Sequence, residues 1–470
     1  MRRAHALTMI VAAATLAACA LQSPPKRDEI KAQALPNLTL PQAWVARGGS
    51  PGTVADDWIA SFRDPELDAL VREALLYNAD LMVAAARVEQ AAGYAKAAGA
   101  TIYPAVNLLA RGGGKMGGDG SGLSGVGFFA SWELDLWGRV RSQRAAGEYA
   151  YQAAVADAEF ARQSIAATVA KSWVLAIEAK LQRQLAEEIA TAAEGATSLA
   201  RDRLRVGIGD DYDVALAEST AASTRDAARQ LALAEDQALR ALEVLVGRYP
   251  AAAVQVRSTL PALPGGVPVG LPSELLERRP DVIAAERRVA AAFHSIGEAK
   301  AARLPKISLT ASVTSITSDL FVLQNHSNPV WSLGASLLQP IFNGYALEAR
   351  VDIATAEQKL AIAEYGRVGA RAFGDVESAL SSGFAAVERE AILARAVDVN
   401  ARGLDLAKVR LRVGTGDLRG VLQQGAVLGV SRATRLRMAS EQLIQRINLH
   451  LALGGSFEPR PPAPTVAGST

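Results

Sequence analysis

One eight-residue phrase occurs twice in this chain, as RLRVGIGD at residues 203–210 and as RLRVGTGD at residues 410–417. Each copy interrupts a long stretch that has no proline and is rich in Ala, Leu, Glu, Gln and Arg, a composition that favours helix. Two glycines and an aspartate after a helical run are typical of a C-cap, a tight turn and a new N-cap. Each phrase therefore predicts the tip of a hairpin of two long helices.

The similarity extends beyond the two phrases, which indicates a tandem duplication. Tyr103-Pro104 matches Leu304-Pro305, and Trp137-Gly138 matches Asn343-Gly344. We expect a first repeat over residues 64–250 and a second over residues 273–457, joined by a proline-rich link at 251–272. The first should contain one helix at 64–99, a strand pair at 103–137 and a helical hairpin at 138–247. The second should contain a helix, a strand pair at 305–341 and a helical hairpin at 344–454.

Four segments alternate apolar and polar side chains. The pattern is clear at residues 126–137, 307–314 and 331–337, where Phe128, Leu309 and Leu333 are among the apolar members, and weaker near 106–111. Alternating runs of about ten residues with aromatics suit a transmembrane β-barrel. A sheet of a water-soluble protein, packed on one face, produces the same pattern. After the N-terminal segment no apolar run is long enough for a membrane helix, so a span of the bilayer would require these strands.

The number of strands limits how such a barrel could close. Four strands cannot form a barrel, and an unpaired edge is excluded from lipid. Two copies would supply eight strands, whose interior fills with side chains, whereas three copies would supply twelve and leave a lumen. The sequence therefore predicts a mainly α-helical chain with a membrane β-barrel portion, closed as a homotrimer.

The N-terminus has the features of a lipoprotein signal. Arg2 and Arg3 precede an apolar run that ends at Leu16-Ala17-Ala18-Cys19, so we expect residues 1–18 to be removed as a signal peptide. Cys19, the only cysteine, would then carry a covalent lipid. Ala20 follows it where an aspartate would resemble an inner-membrane retention signal, which favours the outer membrane. Residues 19–63 would form an acylated N-terminal segment and residues 458–470 a flexible tail.

Composition and motifs argue against an enzyme or a nucleic-acid-binding protein. Without Arg2 and Arg3, the 50 basic residues would balance the 48 acidic ones, so no basic surplus remains for nucleic acid. No His-Glu-x-x-His zinc motif is present, and Lys115 lies outside any phosphate-loop pattern. We therefore expect no catalytic residues, no metal and no cofactor other than the lipid on Cys19.

Longer motifs occur in a distinctive order: WIASFRDP at 58–65, ASWELDLWGR at 130–139, LLERRPDV at 275–282, QPIFNG at 339–344, DVESAL at 375–380 and LGGSF at 453–457. From Trp58 to Phe457 the chain resembles the TolC-like outer membrane factors of tripartite efflux systems, in particular their lipoprotein branch. The resemblance implies a homotrimer with a 12-stranded barrel in the outer membrane and a 12-helix periplasmic tunnel. It also implies a periplasmic adaptor at the tunnel tip and an energised inner-membrane transporter of the RND type.

The resemblance implies a passive exit duct for small molecules, anchored by lipid in the Gram-negative outer membrane and extending into the periplasm. A type I protein-secretion duct has the same architecture and is one alternative. A non-conducting scaffold lipoprotein is the other, although it would have no need for four alternating strands.

Two groups of residues are functional candidates. Family members often carry acidic residues just after the second tip, which narrow the exit and attract cations, but the matching positions here are Gly420 and Gln423. We expect a weaker periplasmic constriction formed by Asp213, Asp417, Arg419 and Gln423, with Arg419 paired to an acid of the other tip. An ordinary helix N-cap is the alternative role of Asp417. The candidates for adaptor docking are Arg203, Val206, Gly207, Ile208, Gly209, Asp210, Arg410, Val413, Gly414, Thr415, Gly416 and Asp417.

Overall fold

The computed structural model describes residues 23–111, 123–318 and 330–458. The signal segment, Cys19 and most of the tail lie outside the described residues. The chain divides into two compact units, one containing residues 1–38, 85–157 and 281–368, the other containing residues 39–84, 158–280 and 369–470. Each unit draws on both sequence repeats.

Helices make up most of the described chain, and the two repeats contain matching pairs of them. The long helices have 67 residues each and the returning helices 35 each, as expected for a duplication. In chain order the helices are α1 (Arg27–Ala34), α2 (Pro65–Tyr77), α3 (Ala79–Ala100), α4 (Arg139–Arg205), α5 (Asp211–Leu245), α6 (Leu275–Arg278), α7 (Pro280–Ala301), α8 (Ala346–Arg412) and α9 (Leu418–Ala452). Among the described residues, no helix is both long enough and apolar enough to span a membrane.

Four strands, two from each repeat, form one antiparallel sheet in the first unit. They are β1 (Ala105–Arg111), β2 (Leu123–Leu134), β3 (Lys306–Ser318) and β4 (Val330–Leu338), in the spatial order β1-β2-β3-β4. The two repeats therefore meet where β2 pairs with β3. The predicted fold class, mainly helical with four strands, is confirmed, including the weakly patterned first strand.

The core of the second unit is centred on Trp173 of α4, which is fully buried among apolar side chains such as Ile177 and Ile447. Its indole N–H donates to Oδ2 of Asp64 at 3.3 Å, and the same oxygen accepts from Nη1 of Arg257 at 2.9 Å. The other oxygen of Asp64 caps α2. Because a buried carboxylate is costly unless it is paired and hydrogen-bonded, these contacts make Asp64 compatible with the core.

The single helix expected over residues 64–99 is instead two helices, α2 and α3, separated by Asn78. The Asn78 side-chain oxygen accepts from the backbone N–H of Asp80 and Leu81, and so caps α3. Its amide nitrogen donates to the carbonyl oxygen of Leu245 at 2.9 Å, at the end of α5. The helix is interrupted because the Asn78 side chain forms a hydrogen bond with the end of another helix. The helical periodicity does not reveal this contact.

The second repeat contains an equivalent joint. Arg279 precedes Pro280 and separates α6 from α7, and its Nη1 donates to the carbonyl oxygen of Ala452 at 3.2 Å, at the end of α9. A glycine follows the returning helix in both repeats, Gly247 with φ of 79° and Gly454 with φ of 66°. A Cβ atom at Gly247 would lie 2.7 Å from the carbonyl oxygen of Tyr77. Both the left-handed backbone and the close approach therefore require glycine.

We predict that Gly247→Ala lowers the free energy of unfolding by about 2 kcal/mol, because the alanine must adopt a left-handed conformation against the end of α2. The measurement is the apparent unfolding temperature of the purified protein in detergent, followed by circular dichroism. Gly195→Ala is the matched control, since Gly195 lies within α4 and an added Cβ would have no neighbour within 4 Å. That control should leave the unfolding temperature unchanged or raise it, and an equal loss in both variants would contradict the account of the joint.

Candidate functional site

The first hairpin tip is closed by backbone hydrogen bonds at the end of α4. The N–H of Gly207 donates to the carbonyl oxygen of Leu204 at 3.0 Å, and that of Ile208 to Arg203 at 2.9 Å. Gly207 has φ of 78°, the left-handed conformation that this Schellman arrangement needs. The carbonyl groups at the end of α4 are thus satisfied where the chain reverses.

The second tip has the same geometry. Gly414, also with φ of 78°, donates to Leu411, and Thr415 donates to the carbonyl oxygen of Arg410 at 3.0 Å. The second glycine of each phrase is needed for space: a Cβ at Gly416 would lie 2.9 Å from Cβ of Arg410, and a Cβ at Gly209 would lie 3.0 Å from the nitrogen of Leu204. The phrase is repeated because both glycines perform a physical task in each turn.

The aspartate of each phrase starts the returning helix. Oδ1 of Asp210 accepts from the backbone N–H of Asp213 at 2.7 Å, and Oδ1 of Asp417 accepts from that of Gly420 at 2.8 Å. The N-cap geometry considered for Asp417 is therefore present. Because a carboxylate at a helix N-terminus also interacts favourably with the helix dipole, both tips are locally stable turns.

The two tips pack against each other through apolar side chains. Ala200 and Ala217 of the first hairpin and Leu411 and Leu418 of the second are buried together. The ends of the two hairpins also carry exposed apolar side chains, including Val206, Ile208 and Val413. An exposed apolar group on a rigid turn is a suitable anchor for a protein partner.

A charged contact also joins the two tips. Nε of Arg419, on the second hairpin, donates to Oδ1 of Asp213 on the first at 3.2 Å. Nη2 of Arg419 lies 3.8 Å from Oδ2 of Asp210, and its guanidinium lies 4.8 Å from the ring centroid of Tyr212. We call Asp210, Tyr212, Asp213 and Arg419 the tip cluster.

The structure brings together only some of the residues considered for the constriction. Arg419 and Asp213 are in contact, whereas the Asp417 carboxylate is used as a helix cap and Gln423 is exposed one turn further along α9. The sequence analysis did not name Tyr212, and it named Asp210 as a docking candidate and not specifically as a partner of Arg419. The sequence does show an aromatic residue, Tyr212, two positions after the N-cap Asp210. It does not show what that residue contacts, because Arg419 lies 207 positions away in the chain.

The strand register gives the sheet two faces of different character. Leu108, Phe128, Val313 and Trp331 are successive cross-strand partners and make one face apolar. On the other face Ser312 pairs with Ser332, and their hydroxyl oxygens are 2.7 Å apart. Further polar or small members of this face are Asn107, Ser131, Thr310, Gly334, Ser308 and Ser336, and the apolar residues Leu109 and Phe129 lie among them.

An ionic cluster lies at the end of the sheet where β2 leads into α4. The Glu133 carboxylate accepts from Nε and Nη2 of Arg139, both at 2.8 Å, and its Oε2 lies 2.9 Å from Nζ of Lys306. Asp135 accepts from the backbone N–H groups of Val140 and Arg141 and caps the start of α4. These contacts explain the acidic residues of the WELDLWGR motif, which the alternating pattern left without a role.

No group of three or more His, Cys, Asp or Glu side chains is arranged to hold a metal ion within residues 23–111, 123–318 and 330–458.

Comparison with known proteins shows to which family the chain is related. The family model described as "outer membrane efflux protein" matches residues 70–248 and 271–455, one segment for each repeat. The chain is 32% identical to the pyoverdine export outer membrane protein OpmQ of Pseudomonas aeruginosa, over 96% of this chain and 97% of that protein. It is 29% identical to the cation efflux system protein CusC of Escherichia coli, over 90% and 94% of the two chains.

The fold matches a solved channel of the same kind. The open-state outer membrane channel MtrE of Neisseria gonorrhoeae superposes with a TM-score of 0.77 and 28% identity, covering 89% of this chain and 98% of that one. The family and these relatives are transport proteins rather than enzymes. The match covers both repeats and nearly the full length of the relatives, and the chain therefore belongs to the outer membrane efflux protein family.

Proposed function

We propose that this protein is the outer-membrane channel subunit of a tripartite efflux pump, a passive exit duct for small molecules. This proposal rests on the sheet, which has one apolar and one largely polar face. On both sides the sheet ends in a strand that has no outer partner among the described residues. In lipid such edges must be paired. Three copies would join their edges into a 12-stranded barrel with the apolar face outward and a polar lumen.

An apolar stripe on α8 supports assembly with further copies. Ile392, Val399 and Leu406 recur at every seventh position, and each is between 59% and 66% exposed in the single chain. A seven-residue apolar repeat is the pattern by which long helices pack side by side in coiled coils. In a homotrimer this stripe would pack against a neighbouring copy, and the long and returning helices would form the 12-helix periplasmic tunnel.

The tips support docking of a periplasmic adaptor. Val206, Ile208, Val413 and Thr415 are exposed at the ends of two turns whose backbones are fixed by capping. Arg203 and Arg410 flank them and provide charge for specificity. Transport energy would come from an inner-membrane transporter of the RND type, connected through that adaptor.

The cargo would be selected by the partners rather than by this chain. One relative is named for pyoverdine export and another for cation efflux, although both match this chain over nearly their whole length. The same duct architecture therefore serves different solutes. Acylation at Cys19, after removal of residues 1–18, would anchor the protein in the outer membrane next to the barrel.

The tip cluster would act as the resting constriction. Arg419 links the second hairpin to Asp213 and Asp210 of the first, while Gly420 and Gln423 leave the start of α9 without further carboxylates. Exposed ion pairs of this kind are individually weak, so a docked partner could release them at low cost. The constriction would thus be held by a contact that is easy to break.

We predict that a bulky charged group at Ser312 obstructs conduction, because Ser312 lies on the polar face of the sheet. Ser312→Cys protein, treated with a cationic thiol reagent in a planar bilayer, should lose conductance in up to three steps, one for each copy. Leu333→Cys is the matched control, since Leu333 lies on the apolar face and is 87% exposed. A non-conducting protein, or an equal loss at both positions, would contradict the proposal and favour the scaffold alternative.

We predict that Arg419→Ala raises single-channel conductance by a few-fold, because it frees the second hairpin from the first. Asp213→Ala should have a similar effect, and the double variant should add little, since both changes remove one interaction. Arg205→Ala is the control, because Arg205 pairs with Asp202 within its own helix. Conductance that is unchanged by Arg419→Ala and also by Asp417→Ala would show that these tip residues form no constriction.

A further inference from the structure

The polar face of the sheet carries the phenyl ring of Phe129, in the middle of β2. The register pairs Phe129 with Asn107 of β1 on one side and with Ser312 of β3 on the other, and Ser312 in turn pairs with Ser332 of β4. The ring therefore belongs to a cross-strand row whose other members are polar. It is 37% exposed in the single chain. An exposed ring in a polar row is unfavourable in water unless another group covers it.

The preceding residue, Phe128, shows where an aromatic side chain is expected in this sheet. Successive side chains of a strand point to opposite faces, so Phe128 lies on the apolar face. Its cross-strand partners there, Leu108 and Val313, are apolar as well. The character of the face accounts for Phe128, whereas it does not account for Phe129.

The side chain of Leu109 adds to the apolar surface beside Phe129. Leu109 pairs with Gly127 of β2, so it is the diagonal neighbour of Phe129 on the same face. Diagonal neighbours in an antiparallel pair are about 7 to 8 Å apart, within reach of an aromatic side chain. Leu109 is itself 47% exposed, so both residues leave apolar surface accessible. We call Leu109 and Phe129 the apolar strip.

Packing within the sheet does not explain the ring of Phe129. Aromatic side chains stabilise sheets when they lie opposite an apolar or aromatic residue, or when they cover a glycine of the neighbouring strand. The residues directly opposite Phe129 are Asn107 and Ser312, which offer neither. The ring is therefore available for contact with a molecule that passes along this face.

We propose that the apolar strip is a contact site in the lumen for solutes that carry a flat aromatic group. This inference rests on the proposed channel, in which the polar face lines the lumen. Three copies would place three Phe129 rings at one level of the barrel. A solute would rest its aromatic group on a ring, while Asn107 and Ser312 offer hydrogen-bonding groups on either side. Hydrated ions would gain nothing from the ring.

The test compares two monovalent organic cations, ethidium, which has a flat aromatic ring system, and N-methyl-D-glucamine, which has none. The full-length protein is placed in a planar bilayer, and the reduction of the single-channel potassium chloride current is measured while each cation is titrated. Phe129→Ser should raise the ethidium concentration for half of the effect by about two- to five-fold, the loss expected for one exposed contact between a cation and an aromatic ring. It should leave the glucamine titration unchanged. Phe129→Trp should lower the ethidium concentration, because tryptophan binds cations best.

Phe128→Ser is the matched control, since it removes the same side chain from the adjacent position on the opposite face. Its ethidium titration should equal that of the unsubstituted protein. An equal change in Phe128→Ser and Phe129→Ser would assign the effect to ethidium dissolved in the lipid and would overturn the inference. An equal change for both cations would do so as well, because it would indicate an altered lumen and not an aromatic contact.

An unchanged ethidium titration in Phe129→Ser would also overturn the inference. If that variant forms no channels, Phe129→Trp decides the matter, and an unchanged titration there has the same consequence. The unsubstituted protein is measured first. If it does not conduct, the proposed channel fails; if it conducts and the Phe129 variants behave like it, only the inference about the apolar strip fails.

Discussion

The hydrogen-bonding requirement of the sheet edges determines much of this structure. Strands β1 and β4 are the outer strands of the described sheet, and their backbone groups must be paired in any environment without water. Helices α4 and α8 begin within eight residues of the ends of β2 and β4. If further copies close the sheet, the long helices of neighbouring copies must also become neighbours. The apolar stripe from Ile392 to Leu406 on α8 is consistent with that requirement.

The two repeats conserve what the fold needs and differ where the proposed function acts. The turn glycines Gly207 and Gly414 and the joint glycines Gly247 and Gly454 have matching left-handed conformations. In contrast, Tyr212 of the first tip corresponds to Arg419 of the second, and these two side chains contact each other across the hairpins. The duplication thus supplies a rigid scaffold, and divergence at equivalent positions supplies a weak contact that a partner could release.

The sequence predicted those features that depend on local chemistry. Glycine and aspartate spacing located both tips, and side-chain alternation located all four strands, because capping and pleating act within a few residues. The break at Asn78 was missed, since its cause is the end of α5, and the partners of Arg419 were only partly foreseen because they lie on another hairpin. The exposure of Ile341, Phe342 and Tyr345 was also not foreseen, because an apolar motif between a strand and a helix is compatible with a buried linker.

We propose that this protein is an exit duct supplied through its helical tips. A photo-crosslinking amino acid placed at Ile208 and, separately, at Thr415 in living cells tests this proposal when the captured proteins are identified by mass spectrometry. Both residues are exposed at the ends of capped turns, so substitution there leaves the fold intact. We predict that a periplasmic adaptor is captured at both tips. Capture of neighbouring copies alone, with no adaptor at either position, would contradict it.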